Sequence, residues 1–151
     1  MKKRFLSLLL VLVLIMSLMP AALAVNADDA QPKTISVTFR LHTDTDEWIA
    51  PTEVSDLPEG TSVFTVFQKV LADKGYTYEY HEQYCYVQAI TAPDGTRLAE
   101  FSKGQNSGWL FRVNNDFADV GMNDFVLMDG DEIEVLYTAD YAKEPGMSLP
   151  Y

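Results

Sequence analysis

Two histidines and a short acidic run are the parts of this chain from which chemistry could most readily be built. His42 and His81 lie far apart in different surroundings, whereas a metal site wants His, Cys or carboxylate ligands at close spacing. Asp44, Asp46 and Glu47 could offer oxygens to Ca²⁺. They lack the loop length and the glycine of a helix–loop–helix calcium site, so a solvated turn is the favoured reading. The stretch Asp129-Gly130-Asp131-Glu132 is also acidic, and its turn role already explains it. Nucleophilic catalysis needs a base beside Ser or Cys. No Gly-x-Ser-x-Gly pattern, Cys–His pairing or Gly-rich phosphate loop is present. Two of the 22 acidic residues could still meet in space as glycosidase carboxylates do. Nothing assembles into a catalytic site, so the chain is expected to be no enzyme, with no resident cofactor and no metal.

The aromatic residues carry more information. There are eight Tyr, eight Phe and two Trp, more than a small sheet readily absorbs, although most must fill the core. Trp109 beside Gly108 and Phe117 within a polar loop are the two that packing explains least. A glycine next to a strand Trp leaves bare backbone that another surface can approach. An aromatic at a loop tip is a common mark of a contact surface. Brought to one rim, Trp109 and Phe117, with Asn106 and Asn115 as hydrogen-bond donors, would cap a flat amphipathic molecule. The competing reading is that Trp109 is wholly buried and Phe117 folds under its loop.

These residues need elements to position them. Ile35, Val37, Phe39 and Leu41 alternate with polar residues, the pattern of a half-buried strand over residues 34–41. Residues 48–54 can return as a second strand, confined to an edge by Pro51. Pro58, Glu59 and Gly60 break the chain, and Thr61 or Ser62 can cap a helix. Val63, Val66, Phe67, Val70 and Leu71 then form one apolar stripe, and Gly75 suits a helix end. Strands follow: Tyr76, Tyr78 and Tyr80 alternate, then residues 84–91, a turn at Pro93-Asp94-Gly95, residues 96–101, a polar loop at 102–107, and residues 109–113. Residues 125–128 are expected to pair with 131–138 across Asp129-Gly130, a strong hairpin signal. One helix can cover one face of a mixed sheet. The expected fold is therefore α+β, a sheet packed on one amphipathic helix.

The N-terminus reads as a secretory signal peptide over residues 1–24. Lys2, Lys3 and Arg4 precede an apolar run, and cleavage is expected near Ala24 or Ala27. An uncleaved anchor is the alternative, since the run reaches the lower edge of spanning length. Residues 25–33 then form a disordered lead-in, residues 34–141 the domain and residues 142–151 a C-terminal tail. Loss of three basic residues would leave 8 against 22 acidic ones, taking the net charge from −11 to −14. Such a chain repels nucleic acid and anionic lipid. Cys85 is the only cysteine, so no intramolecular disulfide forms, and its strand-like setting favours a small buried hydrophobe.

Gly108 to Phe111, the loop at residues 114–120, Gly121, Asp124 and Phe125, and Asp129, Gly130, Asp131 and Ile133 resemble the C-terminal β-domain of transcobalamin and intrinsic factor. Stand-alone bacterial versions are called the transcobalamin-like C-terminal domain, or domain of unknown function 4430. The strand at 34–41, the helix at 63–74 and residues 84–90 occupy the expected order, so the resemblance covers nearly the whole mature chain. It implies a β-grasp-like fold. In the vitamin carriers this domain closes over one face of cobalamin; carried over, Trp109 and the Phe117–Ala118 tip would face a ligand, flanked by residues 102–107. The carriers place a helical domain on the other face, and this chain has none. Binding through one face would be weak, or completed by a separate subunit. The resemblance thus implies a secreted or extracytoplasmic, non-enzymatic ligand-binding module, with a corrinoid such as cobalamin or a similar flat small molecule as ligand. No nucleic acid partner and no stable membrane insertion after cleavage are expected. The alternative is an extracellular interaction domain for a cell-surface protein or a glycan, which keeps the fold without the vitamin.

Overall fold

A computed structural model describes residues 33–84 and 86–147. The expected signal peptide, nearly all of the lead-in, the end of the tail and Cys85 lie outside the described residues. Strand β1 (Thr34–Thr43) opens the domain. Ile35, Val37, Phe39 and Leu41 are all buried, as strict alternation requires when one face meets the core. The antiparallel strand β2 (Glu47–Pro58) returns along its outer side. It runs past the expected Val54 to Pro58 and is an edge strand, where Pro51 costs no ladder bond.

Helix α1 (Val63–Lys74) forms where its stripe predicts. The Ser62 hydroxyl accepts the Thr65 backbone N–H at 3.3 Å, and Gly75 closes the helix with a φ of 77°. Its N–H and that of Tyr76 reach back to the carbonyls of Ala72 and Leu71. Val63, Val66, Phe67, Val70 and Leu71 are all buried, with Phe67 6.5 Å from Phe39 of β1.

The strands after the helix divide into two sheets. β3 (Thr77–His81), β4 (Tyr86–Thr91) and β5 (Arg97–Ala99) make a three-stranded antiparallel sheet. β6 (Gly108–Val113), β7 (Asp116–Phe117) and β8 (Glu132–Thr138) join the first two strands in the order β2-β1-β8-β6-β7. β8 runs parallel to β1 and antiparallel to β6, which makes the larger sheet mixed. The sheets approach at β4 and β6. There the Tyr86 ring, rather than a ladder of backbone bonds, fills the gap beside Gly108.

The expected hairpin across Asp129-Gly130 does not form. Residues 125–128 turn to the start of α1 instead: Val63 N–H donates to the Phe125 carbonyl, and Leu127 N–H to that of Thr61. The Asp-Gly turn itself exists, with Gly130 at φ 84°. It is spent on β1, where Ser36 N–H donates to the Asp129 carboxylate at 2.8 Å and Gly130 N–H to the Ser36 carbonyl. β8 takes β1 and β6 as partners because both put apolar residues opposite Ile133 and Val135, and β6 sets Trp109 opposite Tyr137. Among the described residues, no helix is long and apolar enough to cross a membrane.

Candidate binding site

β6 is flanked unequally. β8 lies along its whole length, whereas β7 covers only Arg112 and Val113. This follows from Asn114 and Asn115, which hold φ values of 54° and 72° and so close a two-residue turn twisted to suit a hairpin. Asn114 locks that turn onto β8: its amide donates to Asp131 at 2.8 Å and accepts from Glu132 N–H at 2.9 Å. Phe117 is thereby set opposite Arg112, whose guanidinium lies 5.9 Å from its ring centre. Residues 118–122 then fold back, with the Met122 carbonyl accepting Phe64 N–H.

Between this return and the uncovered part of β6 lies a groove of about 280 Å³. Trp109, Phe111, Phe117, Ala118, Met122 and Tyr86 contribute most of its character, and no Lys, Arg or His lines it. The volume is at the low end for sites that enclose a small molecule (about 300–1,000 Å³). The groove therefore suits one edge or one face of a larger ligand, and not an anionic one, since Asp119 is the charged residue of its described lining.

Trp109 is only 2% exposed. Its ring packs against Trp48 at 5.5 Å and Tyr137 at 5.1 Å, and its Nε1–H donates to the Leu98 carbonyl at 3.0 Å. It is a wall whose position the core sets. Phe117 and Ala118 are half-buried on the facing side. The structure thus brings three of the sequence-predicted site residues together and leaves two elsewhere. Asn106 is exposed and donates to Asp140 at 3.1 Å. Asn115 lines a different groove with Thr38, Arg40 and Arg112. Arg112 stands three residues from Trp109 along β6, an odd spacing that sets the two on opposite faces of the sheet, and Asn115 shares the groove on the Arg112 side.

Tyr86 was not among the predicted site residues. A Cβ on Gly108 would stand 2.5 Å from its hydroxyl, so the close approach expected at that glycine is made by the chain's own phenol. The Trp109 backbone hydrogen-bonds this hydroxyl; burial, with the negative charge of Glu100, pushes its pKa up to about 12. It remains a neutral donor at any ordinary pH. The usable signal was the pairing of a bulky Tyr on one strand with a Gly on another, which becomes visible only once the two strands are known to be neighbours.

The other face of the larger sheet carries charge. Glu134 of β8 takes a hydrogen bond from Arg112, meets His42 at 2.6 Å and Arg40 at 3.5 Å. Burial pushes its carboxyl up, but Arg112 and His42 outweigh that and hold it below the usual carboxylate range. Arg40 also forks onto Glu47 at 2.6 and 2.8 Å. The acidic run is taken up in the same way: Glu47 by Arg40 and Asp44 by Ala139 N–H. Among the described residues, no cluster of three or more His, Cys, Asp or Glu side chains could hold a metal ion.

A family model described as domain of unknown function (DUF4430) matches residues 60–139. No curated protein matches the chain significantly. Among solved structures, haptocorrin in complex with Cbi is 20% identical with a TM-score of 0.53, over 70% of this chain and 25% of that one. The chain thus spans about a quarter of haptocorrin's length, and the likeness is one of fold. A candidate metal binding protein from Ruminococcus gnavus ATCC 29149 is 22% identical with a TM-score of 0.43, over 70% of this chain and 95% of that one.

Proposed function

Because the chain belongs to the family of the domain of unknown function DUF4430, a transcobalamin-like domain, we propose that it is an exported, non-enzymatic module that binds one face of a flat amphipathic small molecule. A corrinoid is the first candidate. The observation that carries this reading is the groove itself: a core-anchored Trp109 wall, a half-buried Phe117–Ala118 wall and one half-buried phenol, with no Lys, Arg or His in the described lining. Such a site offers apolar contact to a ring and one polar anchor to its rim. Solved haptocorrin, which shares the fold, is in complex with Cbi, and this supports a ligand of that kind here. At about 280 Å³ the groove takes up a fraction of a macrocycle, so modest affinity, or a second subunit supplying the other wall, belongs to the same reading.

Titration of the full chain with cyanocobalamin, followed by visible absorbance and calorimetry, tests the proposal. A saturable spectral change with one-to-one heat is expected. Phe117→Ala should weaken binding at least tenfold, about 1.4 kcal/mol, and leave the melting temperature nearly unchanged. If it unfolds the domain and spares binding per folded molecule, the rim is only the end of a core.

A further inference from the structure

We propose that the groove between α1 and β3 is a second ligand site, on the flank of the helix beside its core stripe, and that it takes a neutral saccharide. Phe64 and Gln68 stand one helical turn apart on α1, and Tyr78 and Tyr80 share one face of β3. With Glu82 and Asn123 they line a groove of about 480 Å³, larger than the one on β6. Its floor is a column of near-parallel rings. Buried Phe67 lies 6.0 Å from Phe64 at 15°, and Phe64 lies 4.4 Å from Tyr80 at 29°. Tyr78 stands edge-on to both phenylalanines. The core thus fixes the tilt of the outermost ring.

The polar ends of the two tyrosines are fixed as well. Gln68 Nε2 donates to the Tyr78 hydroxyl at 2.6 Å, and the Tyr80 hydroxyl donates to Asn123 Oδ1 at 3.0 Å. Rings held at both ends lose little freedom when a ligand arrives. Two amides and a carboxylate around an aromatic floor match a sugar, which shows a flat C–H face to a ring and hydroxyls, each both donor and acceptor, to its surroundings. An acidic occupant is disfavoured, because among the described lining residues the charged one is Glu82 and the whole chain carries −11. A proline-rich peptide, the other ligand of aromatic grooves, needs a slot between rings. The Phe64–Tyr80 stack at 4.4 Å leaves none between those two.

The test is a titration of the full chain with cellotetraose and chitotetraose, read by NMR shifts, with a sialylated trisaccharide and a proline-rich decapeptide as further arms. Saturable shifts at Phe64, Gln68 and Tyr80, with one neutral tetrasaccharide and at millimolar affinity or better, are expected. Asn123→Ala and Gln68→Ala, both at exposed positions, should each weaken binding at least fivefold; Tyr80→Phe should keep most of it and Tyr80→Ala abolish it. Cyanocobalamin binding on β6 should be untouched by all four, which separates this site from the proposed one. The inference is overturned if neither tetrasaccharide shifts these residues, if the amide variants bind as the parent does, or if the acidic glycan or the peptide binds more tightly than the neutral sugars.

Discussion

Gly108 and Tyr86 show how one atom decides a local structure. The Cβ that Ala would add at 108 meets the Tyr86 hydroxyl at 2.5 Å, but the next ring carbon only at 3.8 Å. Gly108→Ala is therefore expected to cost about 1–3 kcal/mol, as overpacking does. The same change in a Tyr86→Phe background should cost much less, a coupling that a double-mutant cycle reads directly. Tyr86 also predicts a pH response. Its folded pKa, near 12, is raised above the ordinary 10, so the folded state keeps a proton that the unfolded chain gives up. The associated stability is fully present below about pH 10 and is lost between pH 10 and 12. Alkaline denaturation monitored by circular dichroism should show this fall in the parent, and a smaller one in Tyr86→Phe. Of the residues predicted for the site, Trp109 and Phe117 stood out in the sequence because an aromatic beside a glycine or in a polar loop is anomalous on its face, whereas Ala118 entered only through the family resemblance. Asn106 and Asn115 were chosen for donor capacity alone, and capacity does not tell direction.

At the scale of elements, local pattern and structure agree best where one side chain period decides the outcome. The α1 stripe, its Ser62 cap and its Gly75 end were all readable, since each depends on neighbours within one or two turns. Phe67→Ala should cost about 3–5 kcal/mol: the ring is fully buried and touches Phe39, Phe64 and Tyr78. Chemical denaturation is the measurement, and a variant that unfolds at the parent's midpoint would exclude the assignment of this face to the core. Residues 125–128 fell on the other side of this divide. Their turn signal was real, but a turn specifies only that the chain reverses, and the first turn of α1 offered unsatisfied N–H groups that a partner strand did not.

The molecule as a whole binds its sheet together through Glu134, which joins β8 to Arg112 of β6 and to His42 and Arg40 of β1. Its carboxyl pKa is depressed from 4.5. The stability it provides is present above about that pH and is lost as the pH falls through the folded value. Thermal melts between pH 6 and 3 should show a steep loss that is blunted in Glu134→Gln, a variant expected to be less stable at neutral pH because Arg112 and Arg40 keep their charge and lose the carboxylate that balances it. The sequence by itself determined the α+β class, the β1 alternation, the helix with both its ends, and the aromatic residues that carry the groove, because each is a matter of period and spacing within a short span. Only the tertiary structure decided that β1 and β8 run parallel, that the strands part into two sheets, and that Tyr86 stands over Gly108 beside Trp109. Those outcomes depend on which distant backbone satisfies which, and on whether a ring or a strand fills a gap; neither has a local period to announce it.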